Sequence, residues 1–217
     1  MRLISFLLCL IPINFCLSQQ EVYENKTEKQ LYNFNAFKSG EKLEYKLNYG
    51  FFNASYASLT LKDEILDGKK VLRATSIGRT TGLARLFFKV DDIYETFFPK
   101  EKVKPVKSIR DIYEGGYERE AETIYDYKNN KALFYDKLKN IKKEFNIHPD
   151  IQDIISTFYY LRKHFDIASL KPNDLIYVDI FFDEEIYPFK MMFLGIERIK
   201  TKFGIVECMK LRPYMES

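Results

Sequence analysis

The chain has no tryptophan, two histidines and three cysteines among its 217 residues. Cys9 and Cys16 lie in an apolar N-terminal segment, so a mature chain without that segment keeps Cys208 alone. One cysteine cannot form an internal disulfide, and its apolar neighbours predict that Cys208 is a small buried hydrophobic residue. Two histidines leave few arrangements for acid–base or metal chemistry based on imidazole.

The motifs of common enzyme classes are also missing. The sequence has no G-x-S-x-G nucleophile elbow, no phosphate-binding loop, no H-E-x-x-H zinc helix and no dinucleotide fingerprint. We therefore predict a protein that is not an enzyme and has no catalytic, cofactor-binding or metal-binding residue. The net charge of +3 gives no whole-molecule field to hold nucleic acid, and we expect no such partner.

The N-terminus has the pattern of a secretory signal peptide over residues 1–18. Arg2 supplies the positive start, residues 3–17 are mostly apolar, and small residues at Cys16 and Ser18 predict cleavage before Gln19. The apolar stretch is shorter than the roughly 20 residues that span a bilayer, so we expect no transmembrane segment in the mature chain. Residues 19–35 are predicted to be a flexible leader and residues 36–217 a single β-rich domain.

Phenylalanine and tyrosine are abundant, and alternating residues predict a long antiparallel sheet. In the first strand, around residues 40–50, apolar and aromatic residues occupy every second position. The next strands, at 57–61 and 71–77, are separated by a turn at Asp67-Gly68. Further strands are predicted at 93–98, 106–113, 117–127, 175–182, 186–194, 197–201 and 205–211. Residues 125–135 are predicted to form a hairpin that turns at Asn129-Asn130. Residues 137–143 are predicted to be a solvated loop.

The last predicted strand is followed at once by Pro213, which leaves no room for a partner strand. An open edge promotes aggregation, so we expect the given chain to be truncated at its C-terminus.

One principal helix is predicted at residues 150–165, with Asp150 as its N-cap. Its apolar residues fall within one arc and are expected to pack on the sheet: Ile151, Ile154, Ile155, Phe158 and Phe165. A short helix or turn is predicted within residues 81–89. The fold class is α+β and predominantly β: a curved antiparallel sheet or partly open barrel with one principal helix.

Three residues are candidates for ligand binding. Arg162 lies within the apolar arc of the helix, so its side chain either extends past the helix end into solvent or is buried with a partner, where it could orient an acidic ligand group. Tyr45 and Tyr49 share the buried face of the first strand and either fill the core or line a cavity.

Acidic residues and histidine leave three alternatives open. His148 with Asp150 and Asp153 could hold a metal, although helix capping explains both aspartates. Asp91 and Glu95 could be the paired carboxylates of a glycan hydrolase. Residues 183–185 could bind calcium, but they lack the spaced ligands of a dedicated loop and are expected to form a solvated turn.

Three segments, 37–45 with Tyr49-Gly50, 153–162 and 194–204, together resemble an exported bacterial family called domain of unknown function 3108, of Bacteroidetes type. The resemblance implies a curved antiparallel sheet distantly like the lipoprotein-localisation carriers, and a location in the periplasm or at the outer membrane of a Gram-negative bacterium. Members of this family continue past the position of Pro213. The family has no established activity, so it supplies no catalytic residue.

Together these features predict a non-enzymatic envelope protein that binds or carries an apolar or amphiphilic ligand, such as a lipid, a lipoprotein acyl chain or a glycolipid. A structural or interaction module of an envelope assembly is the first alternative, and a glycan hydrolase is the second. A deep apolar cavity would favour the carrier, whereas a filled core with a flat exposed patch would favour the module.

Overall fold

A computed structural model describes residues 11–12, 36–49, 52–164 and 169–214. The chain divides into two compact units, which are described separately. The larger unit comprises Phe37–His164 and Val178–Pro188, and the smaller comprises Met1–Ala36, Phe165–Tyr177 and Phe189–Ser217. The predicted boundaries of the signal peptide, leader and single domain stay predictions.

The larger unit contains an eight-stranded antiparallel sheet in which neighbours in sequence are neighbours in space, in the order β2 to β9. Its strands are β2 (Lys42–Tyr49), β3 (Phe52–Leu66), β4 (Lys69–Thr80), β5 (Val90–Phe98), β6 (Lys107–Glu114), β7 (Tyr117–Asp126), β8 (Lys131–Asp136) and β9 (Ile141–Asn146). The sheet is not closed into a barrel. The predicted fold class, α+β and predominantly β, is thereby confirmed.

The turn between β3 and β4 shows how the local sequence sets the register of the meander. Asp67 and Gly68 both have left-handed backbones, with φ of 49° and 74°. This pair suits a two-residue turn that matches the twist of the strands. Leu66 pairs with Lys69, and the pairing continues without a shift to Ser55 opposite Thr80.

Strand β9 corrects the prediction of a solvated loop at residues 137–143. Ile141 pairs with Asp136, and the pairing runs to Asn146 opposite Lys131. The prediction was wrong because β9 is the terminal strand in the sheet order and five of its six residues are exposed. An edge strand needs no buried face, and lysines on an edge discourage pairing with other chains.

Two helices occur among the described residues: α1 (Gly82–Phe87) and α2 (Ile154–His164). The principal helix therefore begins four residues later than predicted, because the backbone of Gln152 forms an isolated parallel β-bridge with Ile180. The Gln152 N–H donates to the Asp179 carbonyl at 2.9 Å, and the Phe181 N–H donates to the Gln152 carbonyl at 2.8 Å. The N-cap is consequently Asp153, and Asp150, with an exposed side chain, is not the cap.

The buried face of α2 also differs from the predicted arc. The residues that α2 buries are Ser156, Thr157, Tyr159 and Leu161. Of the predicted arc, Ile151 is buried, whereas Ile154, Ile155 and Phe158 are half-buried; Phe165 lies outside the described residues. Tyr159 is central, because its ring packs against Phe37 and Phe98 with centroids 5.0 and 5.4 Å away. A second core cluster comprises Tyr125, Ala132, Ile147, Ile151 and Phe181.

The second sheet has four strands in the order β1-β12-β11-β10; its residues Val178–Pro188 belong to the larger unit and the rest to the smaller unit. Its strands are β1 (Ile11–Pro12), β10 (Leu175–Phe182), β11 (Glu185–Thr201) and β12 (Gly204–Tyr214). The two strands predicted at 186–194 and 197–201 are one strand, because a register shift between Phe193 and Gly195 absorbs the irregularity. Gly195 has a φ of 114°, which favours glycine. Cys208 is buried, as predicted.

Candidate functional site

Arg162 is buried with a partner rather than extended into solvent. Its side chain is 10% exposed, and its two terminal nitrogens donate to the two carboxylate oxygens of Glu41 at 2.7 and 2.8 Å. The guanidinium also lies 5.0 Å from the centre of the Phe158 ring. Of the two alternatives for Arg162, burial with a partner is the one that the structure shows. An acidic ligand group would have to compete with Glu41, so the ligand-binding role of Arg162 stays a prediction.

The structure describes the side chain of one of the two candidate tyrosines. Tyr45 is half-buried in β2 and pairs with Ala57 of β3, on the face that the alternation predicts. The backbone of Tyr49 pairs with Phe52, but its side chain lies outside the described part of the molecule. Their role in ligand binding stays a prediction.

Asp153 is the buried carboxyl group at the start of α2. One carboxylate oxygen accepts the Ser156 N–H at 2.7 Å, and the Ser156 hydroxyl accepts the Asp153 N–H at 2.8 Å, so the two residues cap the helix reciprocally. The other oxygen accepts the Thr96 hydroxyl at 2.5 Å. Burial raises the pKa of Asp153 to about 6, against the opposing effect of these hydrogen bonds.

Capping explains Asp153 without a metal ion. His148 is paired with a different carboxylate, since its Nε2 lies 2.8 Å from Asp179. Within residues 36–49, 52–164 and 169–214, no group of three or more histidine, cysteine or acidic side chains is arranged to hold a metal.

A small pocket lies beside Asp153 in the larger unit. It is lined by residues of β5 to β8, by the start of α2 and by the end of β10, among them Tyr94, Ser108, Arg110, Thr123, Asp153 and Phe182. Its volume of about 30 Å³ admits one or two water molecules. An acyl chain needs much more space, since pockets for drug-sized ligands measure roughly 300–1,000 Å³. This pocket therefore gives no support to a lipid cavity.

The carboxylates proposed for a glycan hydrolase are each held by arginine. Asp91 lies 2.6 Å from Arg85, and Glu95 lies 2.5 Å from Arg73. The Arg85 guanidinium lowers the pKa of Asp91. Four residues along a strand span about 13 Å at roughly 3.3 Å per residue. Asp91 and Glu95 are thus widely spaced along β5 and each is bound to a different arginine, an arrangement unlike two carboxyl groups that flank one glycosidic bond.

The acidic segment 183–185 forms the predicted turn between β10 and β11, but two of its side chains are not simply solvated. Asp183 is 3.0 Å from Arg119, and Glu184 is 3.0 Å from the same arginine. Arg110 and Lys143 complete this set of ion pairs. Asp183 and Glu185 are exposed, as expected for a solvated turn, but three basic side chains of the sheet also meet the carboxylates of Asp183 and Glu184.

The most unusual surface of the larger unit is formed by α1 and the residue after it. Leu83, Leu86, Phe87 and Phe88, called here the apolar tip, are all exposed, and α1 buries none of its residues. Leu86 is 80% exposed and Phe87 87%. The Phe88 ring packs on the turn between β6 and β7, where a Cβ on Gly115 would lie 2.2 Å from it. Contiguous exposed apolar side chains of this kind indicate a binding surface.

An ordinary surface helix turns its apolar residues toward the protein and its polar residues toward solvent. Helix α1 is inverted, because Arg85 faces the protein and the apolar residues face solvent. Arg85 donates to both carboxylate oxygens of Asp91 at 2.9 and 2.6 Å. Lys89 and Arg79 lie 3.5 and 3.7 Å from the same carboxylate. Three cationic side chains thus surround one carboxylate beside the apolar tip.

Sequence reasoning missed the apolar tip as a site. Residues 81–89 were expected to form a short helix or turn that closes one end of the sheet, and α1 confirms the helix. The sequence feature that could have indicated this surface is the apolar run Leu86-Phe87-Phe88 next to Lys89. It lies in a segment too short to bury an apolar face of its own.

Comparison with known proteins places the chain in a family. The model of the family described as "Protein of unknown function (DUF3108)" matches residues 44–217. The chain therefore belongs to this family, as its sequence motifs indicated.

Other comparisons add little. A DNA-directed RNA polymerase subunit alpha from Tetradesmus obliquus is 24% identical over 89 residues, which is 41% of this chain and 19% of the polymerase subunit. No solved structure matches the chain, so the distant likeness to lipoprotein-localisation carriers stays a prediction. No helix among the described residues is long and apolar enough to cross a membrane.

Proposed function

We propose that this protein is an exported, non-enzymatic envelope protein that binds an amphiphilic partner through the apolar tip, with a lipid surface carrying anionic headgroups as that partner. The observation that supports this proposal most directly is the inversion of α1. Its arginine is tied to the protein while its leucines and phenylalanine face solvent. Folding gains nothing from apolar residues left in water, so their presence is best explained by a partner that covers them.

Charge complementarity favours a lipid surface among possible partners. Aromatic and leucine side chains enter the boundary between headgroups and acyl chains, while neighbouring cations contact anionic headgroups. Arg79 and Lys89, about half exposed, are placed beside the apolar tip for that contact. The lipid is engaged at this surface and not in the pocket beside Asp153, which is too small for an acyl chain.

Sedimentation with vesicles tests the proposal. The mature wild-type protein should bind phosphatidylglycerol vesicles more tightly than phosphatidylcholine vesicles. The double substitution Leu86→Ser and Phe87→Ser should weaken binding about 100-fold, because burial of two such side chains contributes about 3 kcal/mol or more. Native mass spectrometry of protein purified without detergent from its own envelope would show whether a lipid or glycolipid accompanies it.

A matched control is available at the opposite end of the same strands. Ile65, also exposed, precedes the β3–β4 turn, whereas α1 follows the far end of β4. Ile65→Ser should leave vesicle binding unchanged. Equal binding by wild-type protein and the α1 double variant would reject the lipid surface and direct the search to a protein partner.

The alternative of an interaction module that joins an assembly through a sheet edge has weaker support. The terminal strand β9 carries Lys142 and Lys143, both exposed. Lysines on an edge strand oppose pairing with a strand from another protein. If a protein partner exists, the apolar tip offers it a better surface than this edge.

A further inference from the structure

The turn between β10 and β11 rests on three basic side chains from three strands of the large sheet. Arg110 of β6, Arg119 of β7 and Lys143 of β9 form what we call the cationic cluster. Asp183 Oδ1 receives Arg119 at 3.0 Å and Arg110 at 3.4 Å. The two carboxylate oxygens of Glu184 receive Arg119 at 3.0 Å and Lys143. Three anionic oxygens are therefore held by three cations, which is the pattern expected around a phosphoryl group.

The arginines of this cluster are positioned by aromatic rings. The Arg110 guanidinium lies 4.1 Å from the centre of the Phe182 ring and 5.9 Å from that of Tyr94. The Arg119 guanidinium lies 5.4 Å from the centre of the Phe134 ring. Stacking of this kind fixes a guanidinium before a ligand arrives and lowers the entropy that is lost on binding.

Asp183 and Glu184 do not provide a hydrogen-bond acceptor for every N–H donor of the two arginines. The Nε atoms of Arg110 and Arg119 are buried and have no hydrogen-bond acceptor within the described ranges. The Asp136 carboxylate lies 3.9 Å from Arg119 Nε, beyond hydrogen-bond distance. The Arg119 side chain is only 10% exposed, so this donor is unusual in a folded protein.

The turn itself is not built from residues that prefer its backbone. Asp183 and Glu184 have φ values of 51° and 75°, in the left-handed region. Two-residue hairpins with this geometry favour Asn-Gly or Asp-Gly, and a glutamate in the second position is disfavoured. The ion pairs therefore hold the turn in place, and loss of those pairs would release it.

We propose that the cationic cluster is a binding site for a phosphoryl group, and that Asp183 and Glu184 occupy it as an internal substitute for the ligand. A phosphoryl group supplies oxygens on several sides and can satisfy guanidinium donors that the carboxylates leave unpaired. The turn is displaced when the phosphoryl group binds, so the turn lowers the apparent affinity of the site. This site is separate from the apolar tip.

Calorimetric titration with inorganic phosphate tests the proposal on the mature full-length protein. The double substitution Asp183→Asn and Glu184→Gln should bind phosphate at least 10-fold more tightly than the wild type. Addition of Arg119→Gln to that variant should remove the gain. Asp67→Asn is the matched control, because Asp67 lies in the β3–β4 turn with a left-handed backbone as well, and it should leave phosphate binding unchanged.

A second variant keeps the test valid if the double substitution disturbs the fold. Glu184→Gly gives the turn its preferred Asp-Gly sequence and removes one of the two carboxylates, so it should fold well and bind phosphate more tightly than the wild type. If phosphate binds neither variant more tightly than Asp67→Asn, the ion pairs are a structural clamp only and the proposal is rejected.

The phosphoryl group could belong to a soluble molecule or to a lipid headgroup. Phosphatidylglycerol vesicles distinguish them when they are added to a variant that combines the two turn substitutions with Leu86→Ser and Phe87→Ser. Vesicle binding that Arg119→Gln abolishes would assign the site to a headgroup. Binding of free phosphate without vesicle binding would assign it to a soluble ligand.

Discussion

The two helices of the larger unit use their residues in opposite ways. Helix α2 has a buried capping aspartate, and Tyr159 is fully buried. Helix α1 buries no residue and exposes its leucines and Phe87 to solvent. Each helix is tied to the sheet by an arginine that binds both oxygens of a carboxylate: Arg162 to Glu41 in α2, and Arg85 to Asp91 in α1.

This difference separates residues that stabilise the fold from residues free to serve a partner. Apolar side chains of α2 contribute to stability because they leave water on folding. Those of α1 stay in water, so substitutions there should alter binding and leave stability nearly unchanged. Four substitutions test the contrast, and they follow in order of the expected effect on the free energy of unfolding.

Removal of the Tyr159 ring should have the largest effect. Tyr159→Ala leaves a cavity between α2 and the rings of Phe37 and Phe98, and should destabilise the protein by about 3–5 kcal/mol in urea unfolding. Tyr159→Phe is the control. The Tyr159 hydroxyl is buried without a hydrogen-bond partner among the described residues, so its removal should be neutral or stabilise the protein by about 1 kcal/mol. A large loss in Tyr159→Phe would contradict this assignment.

Loss of the partner of Arg162 should come next. Glu41→Ala leaves a guanidinium that is nine-tenths buried without its bidentate acceptor, and should cost about 3 kcal/mol. The combined substitution Glu41→Leu and Arg162→Met should recover most of the loss, because an apolar pair can replace a buried ion pair. If Glu41→Ala unfolds at the same urea concentration as the wild type, the pair does not stabilise α2.

The fold was predictable where residue patterns are strict. The bounds of β10 agree with the prediction, and the two-residue turn at Asp67-Gly68 fixes the register of β3 on β4. Strand β9 was missed because an exposed edge strand lacks the alternation that marks a buried face. Helix α2 begins later than predicted because the backbone of Gln152 pairs with Ile180. No local sequence pattern indicates this long-range contact.

The candidate site was less predictable than the fold. A periodic pattern shows which residues share a face, but not whether that face is covered. Arg162 was recognised as unusual, yet its partner Glu41 lies 121 positions away in sequence, and sequence spacing could not indicate it. The apolar tip could not be predicted from the sequence, because only the exposure of Phe87 in the folded structure shows that this residue does not belong to the core.

The cap of α2 should make stability depend on pH, with an effect of about 2 kcal/mol. Burial raises the pKa of Asp153 to about 6 from an ordinary value of 3.8. The folded state therefore favours the protonated carboxyl group, so this contribution to stability is complete below pH 4 and is lost as pH rises through about 6. Asp153→Asn keeps an oxygen acceptor for the Ser156 N–H but does not titrate.

Urea unfolding of wild type and Asp153→Asn at pH 4, 5, 6, 7 and 8 measures this effect directly. The difference in free energy of unfolding between the two proteins should change by about 2 kcal/mol between pH 4 and pH 7, in favour of the asparagine variant at the higher pH. Parallel pH curves would show that Asp153 titrates as an ordinary exposed carboxyl group in the folded protein.

The smallest effect on stability is expected in α1. Phe87→Ala removes an aromatic ring, as Tyr159→Ala does, but Phe87 is 87% exposed, so little apolar surface returns to water on unfolding. We expect a change within about 0.5 kcal/mol in urea unfolding, together with a clear loss of vesicle binding. A loss of several kcal/mol would show that the ring packs against the protein in solution. In that case the contrast between the two helices would fail, and the apolar tip would be part of the core and not a surface for a partner.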